Sequence, residues 1–330
     1  MTFLIWILIW TGIRCQIIIS LPNCPEKDTI FRTWYNGHGV NVARSLKLRQ
    51  HHKMKMKIYE IESKQILTKS KLPGMGYCIN PYVGCQHACV YCYACFMKRF
   101  TGHEEPWGKF VDVKINAAEI FAGSFKKTKL GEGAFFGSVT DAYQPLEAKY
   151  KLTRSILEQI ADAPEREFRA SILTKSDLVL RDIDLLKRIP NASVGFSIAL
   201  TDEKARRFFE PCASPVKQRI AALEILHEEG IQTYAFLGPI FHEITDLPSI
   251  FASLEGIVEY IYGETLNVNC GNMAAILRAV SAYNRNLRPL FDREVRSRDY
   301  WNTVETEFTS LAGKHGINVE GFFHHIESSL

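Results

Sequence analysis

The 330-residue sequence predicts an α/β fold, a partial (β/α)6 TIM-like barrel, on three observations. Six short β-like runs follow one another from residue 77, helical stretches separate them, and a helical tail follows residue 284. Strands that alternate with helices imply a parallel sheet, because parallel neighbours need crossover connections. Right-handed crossovers let such a sheet roll into a full or partial barrel.

The expected strands are "YCINPYV" (77–83), "AFFGSV" (134–139), "FRASILT" (168–174), "SVGFSIA" (193–199), "IQTYAFL" (231–237) and "YIYGETLNV" (260–268). Between them, Asn116–Lys127 opens on a residue able to cap a helix, and Pro145–Ile160 opens on a proline permitted in a first turn. Asp177–Ile189 and Pro215–Glu229 follow, the second ending at Gly230, which suits a left-handed cap. Leu247–Tyr260 and Asn272–Asn284 complete the series. Residues 54–284 thus form the core. Residues 285–330, with "DYWNTVETEFTSLAGKHG" and "GFFHHIESSL", are expected as a helical C-terminal extension.

Residues 1–53 stand apart. "MTFLIWILIWTGIRCQIIIS" is compatible with a signal peptide lacking a basic flank, a membrane anchor interrupted by Arg14, or an over-extended start before Met54 or Met56. The core itself offers no membrane span. Net charge is +4, but six Lys/Arg lie between Arg44 and Lys57 with no acid among them, so the remainder is slightly acidic. Nucleic acid is therefore a possible partner that charge does not advertise.

The nine cysteines are clustered and odd in number, unlike a secreted disulfide framework, and indicate a metal in a reducing, cytoplasmic compartment. Cys85, Cys89 and Cys92 sit in the loop after the first expected strand, where barrels place their working residues. Three thiolates on one loop can hold three irons of a 4Fe–4S cluster and leave the fourth open. Gly84 would let the backbone fold closely around the cluster, and Tyr91 could pack over it. With Cys95 added, four thiolates could instead close a zinc or cluster site that merely staples the loop. Cys95 is otherwise a buried thiol on the following helix.

The C-x3-C-x-aromatic-C spacing resembles the signature of the radical S-adenosylmethionine (SAM) superfamily. "GSVTDAYQPLEAKYKLTR", "ILTKSDLVLRDIDLL", "FSIALTDEKARRFFEPCASPVKQRIAALEILHEEGI" and "FLGPIFHEITD" extend the resemblance to its spore photoproduct lyase-like branch, over about residues 76–250. The resemblance implies a cluster-bound SAM cleaved reductively to a 5′-deoxyadenosyl radical, with flavodoxin or ferredoxin as electron donor. It also implies that Thr140 and Asp141 contact the methionine end of SAM and that Lys175 pairs with its carboxylate. Ser197 is a candidate for the ribose hydroxyls and Gly238 for close backbone approach to the adenine. Capping, solvated and core roles stay open for these residues, and Glu210 and Arg219 have no assigned role. The lyase itself returns hydrogen from a cysteine at the end of strand two, where this chain has Ser138 or Val139. The expected activity is thus a radical SAM reaction on an unidentified substrate. The alternatives are a DNA photoproduct lyase with a relocated donor, such as Cys95 or Cys212, and a metal-stapled binding protein.

Overall fold

The six expected apolar runs become six parallel strands, adjacent in chain order: β1 (Tyr77–Ile79), β2 (Gly133–Phe136), β3 (Arg169–Thr174), β4 (Ser193–Ser197), β5 (Gln232–Leu237) and β6 (Tyr260–Glu264). The structure is a computed structural model that describes residues 8–11, 14–17, 55–70 and 74–325. Residues 55–330 form one compact unit distinct from 1–54. The expectations for 1–53 lie outside the described residues, except that Leu8–Thr11 pairs antiparallel with Arg14–Ile17. Among the described residues no helix is long and apolar enough to cross a membrane.

One face of the strands is dry. Ile79, Ala134, Phe136, Ala170, Ile172, Val194, Phe196, Ala235, Leu237 and Ile261 are all fully buried in one hydrophobic core with the helices. Burying a Val, Ile, Leu or Phe side chain stabilises by about 1.5–3 kcal/mol, so this face sets the strand register. The covering helices are α1 (Ala117–Phe125), α2 (Leu152–Ala161), α3 (Ile183–Leu186), α4 (Glu203–Phe209), α5 (Val216–Glu228), α6 (Leu247–Leu254), α7 (Met273–Tyr283), α8 (Arg288–Glu294) and α9 (Arg298–Lys314). The sheet is open. Its edges are an antiparallel strand at Leu67–Lys69 and a seventh parallel strand, β7 (Asn318–Phe323).

Four expectations need correction. "YCINPYV" is two strands: β1 joins the large sheet, and Tyr82–Val83 joins a second sheet with Phe110–Lys114 and Lys57–Ile61. The break falls at Asn80–Pro81, where proline has no N–H for a ladder. Pro145–Ile160 is not one helix, because Lys151 adopts a left-handed conformation at φ 52° and separates one turn at Glu147–Tyr150 from α2. Leu247–Tyr260 ends at Leu254, since Glu255 is extended and Gly256 has φ 75°. Finally, "GFFHHIESSL" does not continue the helical tail: α8 and α9 are helical, but Gly321–Phe323 belongs to β7. Sequence reading also missed α4, which Asp202 caps by accepting from Lys204 N–H at 2.8 Å.

Between β3 and β5 the packing turns on a missing side chain. The Tyr234 ring crosses β4 over Gly195, and its hydroxyl donates to the Ile172 carbonyl at 2.9 Å. A Cβ on Gly195 would overlap that ring. Gly195→Ala is expected to cost about 1–3 kcal/mol by overpacking, and Tyr234→Phe about 1 kcal/mol. Urea denaturation of the two variants checks both values.

Candidate cluster and cofactor site

The cysteine loop leaves the small sheet through Gly84, whose φ of 89° a side chain rarely adopts. A Cβ there would overlap the Phe110 carbonyl, so Gly84 makes room for a neighbouring strand. Ala88 is likewise left-handed at φ 53°, and a Cβ on Gly108 would come within 2.8 Å of its methyl. Cys85 is buried, Cys89 and Cys92 are partly buried, and all three are free thiols.

Residues after β2 stitch the loop down. Thr140 Oγ1 donates to the Gly84 carbonyl at 2.6 Å. Gln86 N–H donates to Gln144 Oε1 at 2.9 Å, and Leu146 N–H donates to Gln86 Oε1 at 2.7 Å. From the other side, Val90 N–H donates to the Phe209 carbonyl at 3.0 Å and Cys212 N–H to the His87 carbonyl at 3.3 Å. Neither glutamine was foreseen, although Gln86 lies within the cysteine spacing itself.

Asp141 sits at the centre of this stitching. Its Oδ1 accepts from Thr174 Oγ1 at 2.7 Å and Tyr143 N–H at 2.8 Å. Its Oδ2 accepts from Lys175 N–H at 2.8 Å and lies 3.0 Å from His87 Nε2. A carboxylate offers about four acceptor positions, and here all four face protein. The ammonium contact expected for Asp141 therefore has no vacant oxygen. Burial opposes its charge, yet His87 and the converging donors outweigh burial and lower its pKa to about 2.

A second buried chain holds Tyr91. Its hydroxyl donates to Glu210, and Glu210 pairs with Arg219 with both charged side chains fully buried. Arg219 also donates to the Ser197 carbonyl at 2.9 Å and the Ser214 carbonyl at 2.8 Å. Burial opposes the Glu210 charge, but Arg219 and Lys175 keep its pKa below the usual carboxylate range. This supplies the roles that sequence left open: Glu210 and Arg219 clamp the tyrosine of the loop to the ends of β4 and α4. Lys175 follows β3 and carries its ammonium 5.8 Å from the Tyr91 ring centre. Among the described residues it has no carboxylate ion-pair partner. Burial lowers its pKa, but Cys89 and Glu210 more than offset this, so it stays cationic.

Ser197 is buried at the end of β4. Gly238 follows β5, and its missing Cβ accommodates the Phe236 ring and Glu264 Oε2, the latter 2.7 Å from where that Cβ would stand. Cys95 lies on a 3-10 helix, Tyr93–Phe100, and its thiol donates to the Cys270 carbonyl at 3.4 Å. Glu264, at the end of β6, is 2.8 Å from His325 Nε2. Cys270, Glu264 and His325 carried no motif in the sequence, since only the fold brings 264–270 and 325 to this end of the sheet.

The donor set fits a cluster better than a single ion. Among the described residues no three His, Cys, Asp or Glu side chains converge to hold one metal, whereas a 4Fe–4S cluster takes one thiolate per iron. Burial raises all three thiol pKa values, Cys89 to about 12. Two buried polar atoms beside the loop lack partners, Trp107 Nε1 and Asn272 Oδ1, while Asn272 Nδ2 donates to the Cys92 carbonyl at 3.3 Å.

Asp141→Asn is expected to destabilise by about 3–5 kcal/mol, because an amide donor replaces an acceptor in a buried charged network. Ionised Asp141 contributes about 2–3 kcal/mol above pH 4, near its unfolded pKa, and this is lost as pH falls towards about 2. Denaturant midpoints of wild type and variant across that range should converge at the acid end.

The chain is similar to known proteins. The family model described as the radical SAM superfamily matches residues 79–248. The uncharacterised protein MJ0683 of Methanocaldococcus jannaschii is 39% identical over 214 residues, 65% of this chain and 79% of that protein. The radical SAM Nalpha-GlyT isomerase of Pseudomonas phage M6 is 25% identical over 182 residues, 54% of this chain and 36% of its own. A solved spore photoproduct lyase, complexed with a dinucleoside spore photoproduct, shares the fold with TM-score 0.58 and 17% identity over 82% of each chain. A variant of that lyase carries bound AdoMet. The cysteine loop at the mouth of a parallel sheet, matched over half the chain, makes this protein a radical SAM enzyme, a member of the superfamily that works with a 4Fe–4S cluster and SAM.

Proposed function

We propose that Cys85, Cys89 and Cys92 hold the cluster, that SAM binds at its open iron beside Lys175, and that the enzyme abstracts hydrogen from a substrate in the mouth of the sheet. The observation that carries this is three free thiols on one braced loop with an unpaired ammonium alongside. When bound, the cluster and SAM together supply a 5′-deoxyadenosyl radical. The chain's own task is to bind, orient and keep water out. Lys175 is the cation for the SAM carboxylate. Asp141 and Thr140 act one step back, fixing Lys175's backbone and the loop. Ser197 and Gly238 lie at the ends of β4 and β5, where ribose and adenine would approach. Tyr91, clamped by Glu210, closes the inner side of the loop. A flavodoxin- or ferredoxin-like protein is the proposed electron donor.

The substrate belongs to no class that the site names. A DNA photoproduct lyase is the second proposal, favoured by one observation: Cys95 and Cys270 meet at the mouth and offer S–H bonds that Ser138 and Val139 lack. It requires DNA binding that weakens steeply with salt.

Anaerobic reconstitution should give about four irons per chain, and dithionite should then release 5′-deoxyadenosine and methionine from SAM. A cluster that survives Cys85→Ala refutes the ligand assignment, and an intact cluster without SAM cleavage favours the metal-stapled binding protein. Lys175→Ala should keep the iron and raise the Kd for SAM about 10–100-fold, the loss of one charge-assisted hydrogen bond. Equilibrium binding of SAM to the reconstituted variant measures it.

A further inference from the structure

Trp107 presents a polar group with no destination. Among the described residues its Nε1–H is buried without a hydrogen-bond partner, an unfavourable state in a folded protein. The segment that carries it runs along the cysteine loop and touches it at three places. The Phe110 carbonyl fills the space beside Gly84, and Gly108 lies against Ala88. The Trp107 indole N–H lies within reach of the Cys92 side chain. Phe110 meets the Trp107 ring edge-on with centroids 5.9 Å apart. Lys109 N–H donates to the Pro106 carbonyl at 3.0 Å and closes the turn. A neutral thiol is a weak acceptor and leaves the bond open, whereas a charged sulfur is a strong one.

We infer that Trp107 Nε1–H donates a hydrogen bond to the Cys92 sulfur when that sulfur ligates the cluster, and that this bond raises the cluster's reduction potential. Reduction adds negative charge to the cluster and its ligands, so a donor on the sulfur stabilises the reduced state more than the oxidised one. Trp107 acts through Cys92 and is a positioning residue. The inference rests on Cys92 being a cluster ligand, as proposed above.

Redox titration of the anaerobically reconstituted full chain, followed by EPR of the reduced cluster, tests it. Trp107→Phe should keep the iron content and move the midpoint to more negative potential. Trp107→His, which retains a ring N–H, should move it back towards wild type. Equal midpoints in all three proteins overturn the inference while leaving the cluster assignment intact. Should Trp107→Phe fail to fold, wild-type protein grown on 15N-indole-labelled tryptophan decides by pulsed EPR: one indole nitrogen coupled to the reduced cluster supports the bond, and no coupling overturns it. A wild-type chain that takes up no cluster overturns both the bond and the ligand assignment.

Discussion

The carboxylate of Asp141 ties the cysteine loop to the ends of the neighbouring strands β2 and β3. It gathers His87 from the cysteine loop, Thr174 and Lys175 from the end of β3, and Tyr143 from the turn after β2. A buried charge is expensive unless its acceptor positions are filled, and filling them imposes one geometry on all contributors. The loop's position over the sheet therefore follows from a polar constraint as well as from the apolar packing of Tyr91, Cys89 and Val90 against the core. Thr140, Gln86 and Gln144 extend that constraint, and Glu210 with Arg219 repeats it on the opposite side through Tyr91. The cluster loop is held between two buried ionic centres.

This bracing explains how three raised-pKa thiols can sit on one loop without forming disulfides or collapsing onto each other. The backbone takes positive φ at Gly84, where glycine permits it, and at Ala88, where the side chain makes it costly. Such rigidity suits a site whose ligands must take one iron each at a fixed spacing. The mouth on the side of β6 and β7 is built differently, from partly exposed side chains such as Tyr93, Tyr262, Glu264 and Cys270.

Much of the fold was legible because parallel strands buried on one face leave strong apolar runs, as in "ASILT" and "VGFS". β7 was not, because "NVEGFF" is an edge strand with mixed polarity and sits among helical neighbours. The cysteines were legible from spacing alone. Asp141 and Thr140 were singled out by resemblance as SAM contacts, whereas their oxygens turn inward to the protein. No local signal tells a carboxylate that waits for a ligand from one that is already saturated. Trp107 sits in a stretch without helical or strand period, so nothing in its neighbourhood marked it.

The sequence by itself determined the chemistry class, through the resemblance of its cysteine loop and the blocks after it to the radical SAM superfamily. It also determined the order of strands and helices, through periodicities that a few neighbouring residues carry. Only the tertiary structure decided which polar residues face the cofactors and which hold the frame. Hydrogen-bond saturation is a property of residues far apart in the chain: Asp141 is filled by positions 87, 143, 174 and 175, and Tyr91 by 210 and through it 219. Their meeting depends on crossover connections that bring strand ends side by side, and that is a fact about the folded sheet.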